Sequence, residues 1–216
     1  MARYTRPSFE TATAFAAACA AHRVNGGYIK QDQVTFHDEG GYTVDKVANK
    51  KLMRQFLSGE FDITDADREM GDKVRQHCHG LSFKIITGTT LSDFELAMLR
   101  IAETEKVDSN YDLAVIASLP ATYDRAQVRQ AQNVRLREAA GTLSNAVGTK
   151  VELDIEVVRC NFSNQWETYF VTAIVDNAVV FFAQKNKIEV GSTVRVKGRV
   201  KDHKVDRTQL SHVKVI

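Results

Sequence analysis

The sequence predicts an α+β protein, with a mainly helical region over residues 1–146 followed by a small five-stranded barrel over residues 147–216. Three observations carry this. Apolar residues recur at helical spacing up to about Ala140 and at a spacing of two after Gly148. The segment from Val194 to Lys201 alternates without a break. As a strand it sets Val194, Val196, Gly198 and Val200 on one face and Arg195, Lys197, Arg199 and Lys201 on the other. Charge also divides unevenly: residues 1–146 hold 18 Lys/Arg against 19 Asp/Glu, residues 147–216 hold 11 against 8, and the last 32 hold 9 against 3. A basic module on a near-neutral body is the charge pattern of a nucleic-acid binder.

Within the helical region, Phe9, Ala12, Phe15, Ala16 and Cys19 keep a 3.6-type spacing that ends at Asn25-Gly26-Gly27. Arg3 and Arg6 precede this alanine-rich stretch, but alanine is too weakly apolar for a signal peptide, so a soluble cytoplasmic helix is expected. Tyr28 to Tyr42, with Gly40-Gly41, fits a short hairpin or an irregular loop. Asn49 to Ser58 reads as a helix through Leu52, Met53, Phe56 and Leu57, stopped by Gly59. Thr64 caps a helix with an acidic first turn (Asp65, Asp67, Glu69) and a basic end (Lys73, Arg75), matching the helix dipole. Ser92-Asp93-Phe94-Glu95 is a capping box opening a helix expected to bury Phe94, Leu96, Met98, Leu99 and Ile101. Tyr111 to Leu119 forms another, which Pro120 is expected to break. A polar Arg/Gln-rich helix from Ala121 to Ala140 then ends at Gly141.

Five strands follow: Lys150 to Val157, Thr168 to Val175, Ala178 to Ala183, Thr193 to Lys201 and Gln209 to Ile216. Asp176-Asn177 makes a tight turn, and Gly198 marks a bend or bulge in strand four. Five short strands in a meander with one longer connection fit the oligonucleotide/oligosaccharide-binding (OB) fold.

Phe181-Phe182-Ala183, Gly191, Val194 to Val200, Lys201-x-His203 and Thr208-Gln209-Leu210 through Lys214-Val215 carry a resemblance. They resemble the C-terminal OB modules of bacteriophage-encoded proteins associated with DNA replication and single-stranded DNA binding. The match covers about the last 70 residues, and the helical part, especially Asn49 to Ala66, is similar only loosely. The loop Asp202 to Arg207 lacks the glycine usual before the Thr-Gln-Leu run. Ser211 to Ile216 carries no acidic tail, so docking to a replisome through one is not expected.

Single-strand binders combine cationic grooves with aromatic platforms on which bases stack. The aromatic candidates are Trp166, in the polar run Asn161 to Glu167, Phe170, expected to face outward, and Phe181, since one of the adjacent Phe181-Phe182 must leave the core. Tyr169 is expected to face inward. The cationic candidates are Arg195, Lys197, Arg199 and Lys201, with Lys185, Lys187, Lys204 and Arg207 in loops. A solvated outer barrel face competes with this reading of the cations. His77-Cys78-His79 could suggest zinc, but no second Cys/His cluster completes a ligand set, and a helix terminus explains it. The carboxylates from Asp62 to Asp72, and Asp93 and Glu95, fall in helix first turns, where capping explains them better than a two-metal nuclease. There is no phosphate-binding P-loop, nucleophile elbow or HExxH motif, and three separated cysteines argue for free thiols. The expectation is a sequence-tolerant binder of single-stranded nucleic acid, DNA above all, in phage replication or recombination. It is not an enzyme and has no cofactor, metal or membrane partner. Replication proteins fit as partners, and a homodimer is compatible. The alternative is a protein-interaction adaptor of a phage replication or host-takeover complex.

Overall fold

In the computed structural model, which describes residues 7–38 and 40–216, the alanine-rich stretch is the buried centre of the N-terminal part. Arg3 and Arg6 lie outside the described residues. Strand β1 (Phe9–Glu10) leads into helix α1 (Thr11–Asn25), where every residue from Ala14 to Ala21 is at most 4% exposed. Gly26, at φ 65°, closes the helix, with the Gly26 and Gly27 amides donating to Arg23 and His22 carbonyls. Strands β2 (Gln33–Phe36) and β3 (Tyr42–Lys46) resolve the ambiguous segment as an exposed antiparallel hairpin. Helix α2 (Asn49–Leu57) buries Leu52, Met53 and Phe56.

Helix α3 (Asp65–His79) starts with the expected Thr64 cap, reinforced by Asp67 accepting from the Thr64 amide and hydroxyl. Asp67 also takes the fork of Arg23, at 2.9 and 2.8 Å. Small side chains let α3 and α1 meet closely: a Cβ on Gly71 would lie 2.8 Å from the Ala16 amide nitrogen. After the short α4 (Ser82–Ile86), helix α5 (Asp93–Glu103) has its Ser92–Glu95 capping box. Its buried face is Ala97, Met98, Ile101 and Ala102, whereas Phe94 and Leu96 stand 40% and 48% exposed, correcting the expected core. Phe94 sits in the first turn, and Leu96 lies about 100° around the helix from Ala97, off the Ala97/Ile101 stripe.

Strand β4 (Lys106–Val107) pairs with β1. Helix α6 (Asn110–Glu138) then continues past Pro120, correcting the expected break. The proline removes one amide donor, a cost of ~3 kcal/mol. Burial on both sides offsets it: Ile116, Ala117, Leu119 and Pro120 are buried and Tyr123 packs on the same core. The Thr122 hydroxyl donates to the Ser118 carbonyl at 3.0 Å within this stretch. No helix among the described residues is long and apolar enough to cross a membrane.

The chain divides into two compact units, one ending at Ala126 and the other covering Gln127–Ile216. In the second unit, strands β5 (Lys150–Ser163), β6 (Thr168–Val175), β7 (Ala178–Gln184), β8 (Thr193–His203) and β9 (Thr208–Val215) close into a barrel in the order β5-β6-β7-β9-β8. Every pairing is antiparallel except β7 with β9. Ile155, Val157, Val171, Val180, Phe182, Val196 and Val200 fill it. Strand β5 outruns its expected end because a register shift between Val157 and Arg159 absorbs the out-of-phase pair Val157-Val158. The end of α6 belongs to this unit: Arg135 pairs with Glu156 at 2.6 Å, and the Val179 amide donates to the Gly141 carbonyl.

Candidate nucleic-acid interface

Alternation along β6 and β7 decides which aromatics leave the core. Val171, Ala173, Val180 and Phe182 are buried, so Phe170 and Phe181 take the outer face. Phe170 is paired in register with Ala183 and Phe181 with Thr172. The two rings therefore meet on the diagonal, 5.7 Å apart and 13° from parallel. The Arg207 guanidinium lies 5.4 Å from the Phe181 ring centre, covering one end of the stack.

Beyond Arg207, the end of α6 and the barrel wall enclose a cleft of about 270 Å³ lined by Asn133, Arg137, Arg159, Thr172, Asp206 and Arg207. Arg159 is held in place by α6, donating to Asn133 at 2.5 Å and to Gln132 at 3.3 Å. It faces Thr172 across β5 and β6, level with Phe181. Arg137 and Arg159 were not among the sequence candidates. The clue was the apolar doublet Val157-Val158, whose bulge turns Arg159 to the outer face.

At the other end of β6, Trp166 occupies the turn at residues 164–167 and is 66% exposed. Lys185 and Lys187 are exposed in the β7–β8 connection at that same end, where the Thr168 hydroxyl donates to the Gln184 carbonyl. Tyr169 takes the face opposite Phe170 but does not join the barrel core, correcting its expected inward position: it packs its ring on the exposed Phe162 at 4.9 Å. The outer face of β6 and β7 thus presents Phe170 and Phe181, with the three arginines toward one end and the Trp166 turn at the other end of β6.

The basic row on β8 exists but lies elsewhere. Arg195, Lys197, Arg199 and Lys201 are exposed while Val196 and Val200 are buried. In the ring of five strands, β8 is separated from β7 by β9 and from β6 by β5, so its outer face points away from the aromatic track. Part of the row is neutralised by the acidic residues of β5: Arg195 lies 3.3 Å from Asp154 and 3.5 Å from Glu152, and Lys197 lies 3.2 Å from Glu152. Lys204 is likewise engaged, 2.5 Å from Asp202, whose carboxyl it holds below the ordinary range. The candidate aromatics and the β8 cations therefore lie on two separate surfaces of the barrel.

His77-Cys78-His79 forms the last turn of α3. There Cys78 is fully buried, its thiol pushed up to about 12 by desolvation, and His77 packs edge-on against Tyr123 at 5.4 Å. Glu95 is held down to about 2 by Lys84 and its own capping bonds, and Asp67 to about 2 chiefly by Arg23, so both act as structural anions. Comparison with protein families, curated proteins and solved structures gives no match to this chain.

Proposed function

We propose that the barrel unit is an OB fold that binds single-stranded nucleic acid, DNA as the expected form, with little sequence preference. It acts as a binding protein rather than an enzyme. The observation that carries this reading is the Phe170–Phe181 stack with Arg207 over one end. Two partly buried phenyl rings on a barrel wall offer aromatic surface to bases of any identity, and the guanidinium adds charge where a phosphate or a base can meet it. The position supports the assignment as well: in an OB barrel, ligands are taken by the face of strands two and three and the loops joining strands one–two and four–five. Here those are β6 and β7, the Trp166 turn, and the loop holding Arg207. The resemblance of Phe181 to Val215 to phage-encoded modules is the ground for proposing a role in phage DNA replication or recombination, in the host cytoplasm.

The test is titration of the whole chain with an unstructured oligonucleotide and with a duplex of equal length at two salt concentrations. The reading expects tighter binding to the single strand, because duplex stacking hides base faces. Equal affinity for both forms leaves charge as the whole explanation. Binding to neither form assigns the exposed face to a protein partner.

A further inference from the structure

On the side of the barrel away from the aromatic track, strands β5, β8 and β9 bring cations into direct opposition. Lys150 is the register partner of Arg199, and Lys197 the register partner of Lys214. Like charges placed opposite each other across strands destabilise a sheet. Elsewhere on the same strands the barrel avoids this, setting Arg195 opposite Asp154 and Lys197 opposite Glu152. Around Gly198, four permanent cations meet the single carboxylate of Glu152.

These side chains rim a concavity of about 700 Å³, lined also by Val151, Gly198 and His212. Its floor is backbone. The β8–β9 register slips between Lys197 and Arg199, leaving His212 at φ 52°, and a Cβ on Gly198 would come 3.2 Å from Val213 Cγ2. The bulged backbone between Lys197 and Arg199, with long cationic side chains at its rim, makes a hollow that admits an anion to several charges at once.

We propose that this concavity, formed by Lys150, Lys197, Arg199 and Lys214 around Gly198, is a second site for the phosphodiester backbone, independent of base identity. This deepens the single-strand reading and rests on it: a long strand engages its bases on the Phe170–Phe181 side and its phosphates on this one. Among the described residues no Phe, Tyr or Trp lines the concavity, so contact here is chiefly electrostatic and should persist where no base is present.

The test uses the full chain and two probes, a long thymidine oligonucleotide and an abasic phosphodiester oligomer of the same length. The triple variant Lys150→Gln/Arg199→Gln/Lys214→Gln should lose the abasic probe and bind the thymidine strand with a salt slope smaller by about 2, ~0.7 for each contact removed. Its melting temperature without ligand should hold or rise, because the substitutions relieve like-charge opposition. The variant Phe170→Ala/Phe181→Ala should retain the abasic probe and lose affinity only for the thymidine strand. Unchanged binding of both probes by the triple variant overturns the second site. A wild-type chain that ignores the abasic probe overturns it equally, whatever the thymidine strand does. If instead the double alanine variant binds the thymidine strand normally, the aromatic track fails while the concavity stands.

Discussion

Phe170 and Phe181 stack across β6 and β7 although neither is the other's register partner. Diagonal neighbours on one sheet face lie ~7–8 Å apart at their Cα atoms, within reach of aromatic rings, and the two phenyls close that gap to a centroid distance of 5.7 Å. A pair that needed only to stabilise the sheet would gain ~0.5–1.5 kcal/mol from this contact. Here one edge of the pair carries a guanidinium, and an exposed tryptophan stands in the turn before β6.

Phe170→Ala should therefore separate binding from folding. Affinity for a single strand should fall by ~1–3 kcal/mol, the value of one stacked base. The loss of stability should lie between the ~0.5–1.5 kcal/mol of the ring contact alone and the ~3–5 kcal/mol of a fully buried phenylalanine. Paired oligonucleotide titrations and denaturant melts measure both; a large stability loss with unchanged affinity would return Phe170 to the barrel's structure.

Trp166 reports on the other end of the track. Its emission should be quenched when an oligonucleotide binds, and Trp166→Ala should leave the melting temperature nearly unchanged, as surface substitutions shift stability by no more than about 0.5 kcal/mol. Steady emission during a titration that saturates by another signal would remove the Trp166 turn from the contact surface.

Arg195 and Arg199 look equivalent in the sequence, two cations on one strand face, and should behave differently. Arg195 is already engaged by Glu152 and Asp154, so Arg195→Gln should leave the salt slope of binding unchanged. Arg199 faces Lys150, and Arg199→Gln should lower the slope by roughly 0.7. Equal effects from the two variants would contradict the ion-pair assignment.

The contrast shows how far the sequence could be read. The alternation of Val194 to Lys201 was visible as a strand with a basic outer face, and so was the alternation of Lys150 to Val157 with its acids outward. That β5 lies beside β8, setting one row against the other, depends on barrel closure, which no local pattern contains. Phe170 and Trp166 were legible because their neighbours are respectively alternating and polar. Arg159 was hidden by the bulge at Val157, and Arg137 by its place on a helix whose docking on the barrel is a tertiary fact. Pro120 was read by its local rule, but the burial of its neighbours overrode that rule.

Two predictions concern the helical unit. Asp67, 3% exposed and forked by Arg23, has its carboxyl held at about 2, below the unfolded value of about 3.9. A depressed carboxyl contributes stability that is complete above the unfolded value and is lost as pH falls through the folded one. The contribution is ~2 kcal/mol. It should fade between about pH 5 and pH 2, and Asp67→Asn should flatten that stretch of the stability curve. An Asn variant with the same acid limb as the wild type would show that Asp67 does not control it.

Gly71→Ala should destabilise the α1–α3 contact by ~1–3 kcal/mol through overpacking, because the added methyl would meet Ala16 backbone at 2.8 Å. The outcome is read as a lowered denaturant midpoint with an unchanged slope. A neutral or stabilising alanine, as expected for a glycine in an uncrowded helix, would contradict the close crossing.

The central claim, that the barrel takes single strands on the Phe170–Phe181 face, is tested most directly by one competition measurement. The chain is saturated with a labelled single-stranded oligonucleotide at moderate salt, then challenged with unlabelled single strand or with duplex, for the wild type and for Phe170→Ala/Phe181→Ala. The account predicts that single strand displaces the label from the wild type far better than duplex, and that the double variant loses this preference while staying folded. A folded double variant with undiminished preference for single strands would contradict it.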